Sequence, residues 1–350
     1  MQGFVVAPIR SRVVFGRGVI EDIKVETAAL GARCLILSTP GQLALAQHAA
    51  ERLGNLVVGV HAEAEMHVPR IVADRGIMRA RQLGADVIVA IGGGSTTGLA
   101  KVIALETDLP ILAIPTTYAG SEMTSIWGIS ENGVKRTGRD DRVLPKTVIY
   151  DPDLTLRLPA AVSSSSGLNA MAHCIEALYA IDGNPLVSIL AEEGIRALAL
   201  ALPRISANPD DRDARDDALY GAWLSGTVLG AVAMALHHKL CHTLGGTFGL
   251  PHADTHAAVL PHALAYNAPY APAAVARVAA ALRTKDAPRY LFDLLTSLGL
   301  STALRDLGMP EAGVDRAVEL ALTNPYPNPA PLVHANLERL VRNAWAGVRP

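Results

Sequence analysis

The chain predicts an α/β domain followed by an all-α domain, and three observations carry that prediction. Short β-branched runs alternate with Ala-rich amphipathic runs up to residue 150, the pattern of a mostly parallel sheet with helices on its faces. Strand-like alternation stops near Asp151. Beyond it, long Ala/Leu patterns are broken by Pro203, Pro209, Pro251 and Pro269, as successive helices would be. The expected division is 1–157 and 158–350, and 350 residues are enough for two such domains.

Taken in order, residues 34–37, 56–60, 86–91, 111–114 and 147–150 read as strands. The run VIVAI is apolar throughout, as strands buried on both faces are. Helices are expected at 42–53, 68–83 and 96–105. The turn-rich DPDLTLRLPAAVSSSSG then leads into the helical half. Residues 218–236 are uncharged over 19 positions, long enough to span a bilayer. Their three glycines, Ser225 and Thr227, and the His237, His238 and Lys239 that follow, predict instead a helix buried on nearly all sides. NPYPNPAP at 324–331 reads as a stiff connection before a last amphipathic helix at 332–346.

Composition narrows the function. A net charge of -2 with 18% charged residues gives no electrostatic footprint for nucleic acid or an acidic membrane. Cys34, Cys174 and Cys241 show no pairing pattern and read as buried thiols in a reducing, cytoplasmic compartment. The opening MQGFVVAPIRSRVVFGRG lacks a basic segment followed by an apolar core, so no cleaved signal is expected.

Two constellations could carry chemistry. Gly92, Gly93, Gly94 and Ser95 follow a strand and open a helix, where glycines let a pyrophosphate approach the backbone and first-turn amides face it. A second strand ends at Pro115, Thr116 and Thr117, on the carboxyl edge where open α/β sheets bind ligands. The cleft between the two halves is the default ligand site. In the second half, six of the 11 histidines fall between 237 and 262: His237, His238, His242, His252, His256 and His262. Asn169 and His173 are spaced by four upstream, as are His238 and His242, so each pair shares a helix face. Converging imidazoles suit a metal, yet Asn169 stands where an Asp would serve best, and no metal is expected. A lone helical histidine is more often a packed interior residue than a ligand, which is the reading for His256 and His262.

The words AIGGGSTTGLAKVIAL, IPTTYAGSEMT, LNAMAH, HHKLCHTLGG and LPHALAYN, in this order, resemble the iron-containing alcohol dehydrogenase superfamily, and most closely its maleylacetate reductase branch. That resemblance implies a Rossmann-like dinucleotide-binding domain and a helical catalytic domain. It implies that Gly93, Gly94 and Ser95 hold the pyrophosphate, that Thr116 and Thr117 meet the adenosine half, and that Thr124, Lys135 and Leu154 flank the nicotinamide ribose and ring. Ser38 ends a strand where an acidic residue would grip the ribose, so NADPH as well as NADH is expected. His173, His238 and His252 match the metal-ligand positions of the superfamily, and His242 the histidine beside the nicotinamide. With Asn169 they form the expected catalytic set, and Lys239 is a candidate partner for a substrate carboxylate. The implied reaction is reduction of the dianion maleylacetate, or substituted analogues, to 3-oxoadipate by a homodimer. The rivals are a metal-dependent alcohol or polyol dehydrogenase that tolerates Asn169, and a nucleotide-binding sensor or scaffold without turnover.

Overall fold

The computed structural model describes residues 4–6, 10–131 and 134–350, and the side chains of residues 134 and 135 lie outside the description. The chain separates into two compact units that part between Leu158 and Pro159, with residues 4–6 grouped with the second.

The α/β unit contains β1 (Arg12–Phe15), α1 (Ile23–Ala28), β2 (Cys34–Leu37), α2 (Leu43–Leu53), β3 (Val57–His61), α3 (Arg70–Gln82), β4 (Val87–Gly92), α4 (Gly94–Thr107), β5 (Ile111–Pro115), β6 (Ile126–Glu131), β7 (Val134–Arg139) and β8 (Thr147–Tyr150). Six strands form one sheet in the order β1-β8-β5-β4-β2-β3, and every neighbouring pair is parallel. Strands β2, β4, β5 and β8 are buried at every position, which is why their sequences are apolar rather than alternating. The short β1 and the antiparallel ribbon of β6 and β7 are additions to the strands expected from sequence. Both are partly exposed, so neither carries a continuous apolar signal. Helix α4 starts at Gly94, two residues before its expected start, directly after the glycine turn.

The helical unit runs through α5 (Ala160–Ala177), α6 (Pro185–Ala207), α7 (Arg212–Ala231), α8 (Leu236–Phe248), α9 (His252–Asn267), α10 (Pro272–Ala281), α11 (Ala287–Ser297), α12 (Gly313–Leu322) and α13 (His334–Ala346). Helix α5 is buried continuously from Ser163 to Ala177, and its many Ser, Ala and Gly side chains allow neighbouring helices to close around it. One apolar core gathers about α5 and α6, a second about α8, α9, α12 and α13. The uncharged stretch 218–236, expected as one helix, is divided: α7 ends at Ala231, α8 starts at Leu236, and the two axes are bent by 96°. Hydropathy is blind to that break, because the residues on both sides are equally apolar. No single helix among the described residues is long and apolar enough to cross a membrane.

Candidate active site

Of the nucleotide candidates in the α/β unit, Gly93, Gly94, Ser95, Thr116 and Thr117 lie at the carboxyl ends of β4 and β5. Gly92 pairs with Pro115 across the sheet, and Thr116 N–H donates to the Gly92 carbonyl at 3.1 Å. Gly92 has φ 153°, and a Cβ there would lie 2.7 Å from Gln42 Oε1, so the turn requires glycine. Gly93 caps α4, its carbonyl accepting from the Thr96 and Thr97 N–H groups at 3.1 Å, and the Gly94 and Ser95 amides of the first turn precede any intrahelical carbonyl they could bond. Thr117 is half-buried against Gly93. Thr116 is buried, and its hydroxyl accepts from Gln42 Nε2 at 2.7 Å, a partner the sequence motifs did not single out. Ser38 directly follows β2, fully buried, with its hydroxyl donated to the Thr39 carbonyl. Leu154 packs on the sheet core. Lys135 lies on β7, with its side chain outside the described residues.

Thr124 is 1% exposed, and its hydroxyl is spent on the protein: it accepts from Lys101 Nζ at 2.9 Å and donates to the Ser121 carbonyl at 3.0 Å. The carbonyls of Ser121, Thr124 and Ile126 also lie 2.6–2.8 Å from this ammonium, so its three N–H groups are shared among four acceptors. Burial pushes Lys101 down to about 7, against the pull of nearby Glu122. Burial also raises Glu122, which accepts from Tyr150 Oη at 2.8 Å. Lys101 was not anticipated from sequence, since a lysine on a helix reads as a solvated side chain.

In the helical unit the histidines do converge. Ring centroids of His173 and His238 lie 4.9 Å apart, His238 and His242 6.1 Å, and His242 and His252 6.1 Å with nearly stacked planes. Helix α5 supplies Asn169 and His173, α8 supplies His238 and His242, and α9 begins at His252. His242 is exposed, while Asn169, His173 and His238 are buried. Asn169 Oδ1, His173 Nδ1 and His238 Nε2 find no hydrogen-bond partner among the described residues. Buried polar atoms are usually paired, so this group is built for something other than packing. Burial, reinforced by the surrounding imidazoles, holds His173 well below the ordinary histidine range. Lys239 is half-buried with Nζ 5.7 Å from the Tyr326 ring centroid, a cation–π placement that engages its charge.

Two residues depart from the sequence expectation. His256, expected to stand apart, is fully buried in the middle of the cluster, 4.3 Å from the His252 ring and 4.9 Å from those of His237 and His238. Its spacing of four from His252 on α9 puts both rings on one helix face, a signal the sequence did carry. His262 packs edge-on against Phe292. Glu176 is the second departure, because the sequence reading found no carboxylate in the cluster. It is 0% exposed and accepts the backbone N–H groups of Ala235 at 3.0 Å, His237 at 2.8 Å and His238 at 3.4 Å, together with His238 Nδ1 at 2.6 Å. Burial by itself would raise this carboxyl, yet the His238 bond and the amides hold it below the usual carboxylate range. Its spacing could have revealed it: Asn169, His173 and Glu176 recur at four and three residues on one helix face.

The donor set suits a transition metal poorly. Asn169 offers a neutral amide oxygen, and Glu176 is committed to helix amides and to His238. Among the described residues, the groups whose ligand atoms lie within 4.8 Å of one another are Glu176 with His237 and His238, and His237 with Cys241 and His256. His173, His238 and His252 are not such a group. His237 belongs to both sets, and its Nε2 is already bonded to the His256 carbonyl at 2.9 Å.

Residues 10–152 match the family described as iron-containing alcohol dehydrogenase, and residues 163–345 match the Fe-containing alcohol dehydrogenase family, C-terminal. The chain is similar to the maleylacetate reductase of Burkholderia cepacia, with 58% identity over 340 residues and 97% of each chain covered. It is also similar to the maleylacetate reductase of Sphingobium indicum, with 55% identity over 347 residues and 99% of each covered. The crystal structure of maleylacetate reductase from Agrobacterium tumefaciens superimposes with a TM-score of 0.97 at 51% identity, covering 100% of both chains.

Proposed function

This chain belongs to the iron-containing alcohol dehydrogenase family, and we propose that it reduces maleylacetate with a nicotinamide as hydride donor and without a bound metal, its histidine cluster stabilising the charge that develops. The reaction is nicotinamide-dependent reduction of the carbon-carbon double bond of maleylacetate, giving 3-oxoadipate. Hydride adds to the alkene carbon at the far end of the enone, and the electron pair moves through the double bond to leave an enolate. A proton then joins the carbon next to the former ketone.

The enolate is the charge that needs stabilising, and N–H donors aimed at it can take the place of a Lewis acid. Our reading gives that work to the imidazoles of His173, His238, His242 and His252 and to the amide of Asn169. The observation that carries the metal-free reading is Asn169 itself: a buried amide, its oxygen unpartnered, in the position a metal-binding acid would take. Leaving out that negative charge also favours a dianionic substrate. For the cofactor, Gly93, Gly94, Ser95, Thr116 and Thr117 are the proposed nucleotide contacts. Ser38 puts no carboxylate at the end of β2, which supports use of NADPH as well as NADH.

The decisive experiment is NADH oxidation with maleylacetate by chelator-treated enzyme. Undiminished turnover supports the reading. Loss of turnover on chelation with return on adding iron or zinc overturns it in favour of a metal-dependent enzyme.

A further inference from the structure

We propose that Glu176 is a positioning residue that holds His238 in the Nδ1–H tautomer and so offers Nε2 to the substrate. Both oxygens of Glu176 face N–H donors, Oε1 that of His237 at 2.8 Å and Oε2 those of Ala235 at 3.0 Å and His238 at 3.4 Å. Backbone amides only donate, and three of them on one carboxyl favour its ionised, acceptor-only form over a protonated one that would set an O–H among these donors. The 2.6 Å contact between His238 Nδ1 and Oε2 therefore has its hydrogen on Nδ1. His237 agrees with this assignment, because its Nε2 donates to the His256 carbonyl at 2.9 Å and leaves its Nδ1 as an acceptor 3.4 Å from His238 Nδ1.

The consequence falls on His238 Nε2, which is buried and unpartnered among the described residues, in a ring 4.9 Å from that of His173. In the neutral ring Nε2 bears a lone pair, and it is the atom through which a solvent proton is loaded and passed on. In that step the Nε2–H bond breaks, a C–H bond forms at the enolate carbon, and the nitrogen keeps the electron pair. The carboxylate steadies the charged ring, as second-shell carboxylates do for functional histidines. Glu176 is also the cap of α8, since three of its four bonds go to the amides that open that helix. One buried carboxylate thus sets both where α8 begins and which nitrogen of its first functional histidine is presented.

This inference rests on the maleylacetate reading for its kinetic half only. The first test is nitrogen NMR of the neutral His238 ring in histidine-labelled wild-type enzyme, where the Nδ1–H tautomer is expected and an Nε2–H tautomer overturns the proposal whatever the substrate. The second compares Glu176→Gln with Glu176→Asp. In the glutamine variant an amide NH2 facing His238 should invert the tautomer and lower kcat at least about a hundredfold, with KM and NADH affinity little changed. The aspartate variant should keep the Nδ1–H tautomer and recover most of the loss. A glutamine variant within threefold of wild-type kcat overturns the proposal, and so does equal loss in both variants with the tautomer unchanged. If wild-type enzyme fails to oxidise NADH with maleylacetate, the substrate reading fails, and the tautomer measurement still decides the role of Glu176.

Discussion

Lys101 Nζ donates to Thr124 Oγ1 at 2.9 Å inside the α/β unit, where both side chains are almost wholly buried. Three carbonyls complete the ring of acceptors. The lysine therefore ties the loop after β5 to helix α4, and the helix that opens at the glycine turn is braced against the threonine loop. Burial lowers this ammonium from 10.5 to about 7. The sign of the consequence is fixed: the unfolded chain binds the proton more tightly, so between about pH 7 and pH 10 stability rises with pH. Wild-type protein should gain urea resistance over that range relative to Lys101→Met, by up to roughly 5 kcal/mol. Parallel pH profiles of the two urea midpoints would show that Lys101 does not titrate in the folded state.

The glycine turn yields a second prediction. A Cβ on Gly93 would lie 2.9 Å from Thr117 Cγ2 and 3.0 Å from its Oγ1, whereas one on Gly94 would meet Ala119 at an ordinary 3.7 Å. Thr117 must shift to admit Gly93→Ala, and the two proposed nucleotide contacts are displaced together. NADH affinity measured by fluorescence titration should fall about tenfold or more, equivalent to about 1.4 kcal/mol. Unchanged affinity with a normal melting temperature would remove this turn from the nucleotide site.

Much of this was legible in the sequence, for physical reasons that also explain the omissions. Strands β2, β4, β5 and β8 announce themselves because burial on both faces demands apolar residues throughout. The partly exposed β1 lacks that demand and was missed. Asn169, His173, His238 and His242 could be paired because helical spacing is local. His256 and Glu176 act through tertiary contacts, and a single acidic residue in an apolar helix carries no mark that it will cap another helix 59 residues away in sequence. The break between α7 and α8 was hidden for the same reason: the capping carboxylate comes from α5.

Asn169→Asp should turn the cluster toward metal. An added carboxylate on the α5 face that carries His173 and Glu176 brings an anion where the donor set has a neutral amide. Two unit charges about 4 Å apart at an effective dielectric of 20 interact by on the order of 4 kcal/mol, which works for a divalent cation and against a dianion. Calorimetry should record tighter zinc binding than in the wild type, and KM for maleylacetate should rise. Equal zinc affinity in both proteins would mean that residue 169 does not set metal preference.

The last prediction separates the histidines by what they touch. His173, His238, His242 and His252 are proposed to face the developing enolate, and loss of one such donor costs about 3 kcal/mol, a rate effect of a hundredfold or more. Alanine at each should lower kcat with maleylacetate while leaving NADH affinity unchanged, because the nucleotide contacts belong to the α/β unit. His256 has no such direct place in the reaction scheme, but its ring is fully buried within 4.9 Å of His237 and His238 and 4.3 Å of His252. Removing it opens a cavity among the very rings whose positions matter. His256→Ala should therefore lose both melting temperature and turnover. His262, packed on Phe292 and pushed down to about 4 by burial, stays neutral at working pH. Its replacement by leucine should leave kcat near the wild-type value. If His256→Ala is folded, thermally normal and fully active, the buried ring is a bystander; if all four cluster variants retain turnover, the proposed catalytic set is wrong even for an enzyme that reduces maleylacetate.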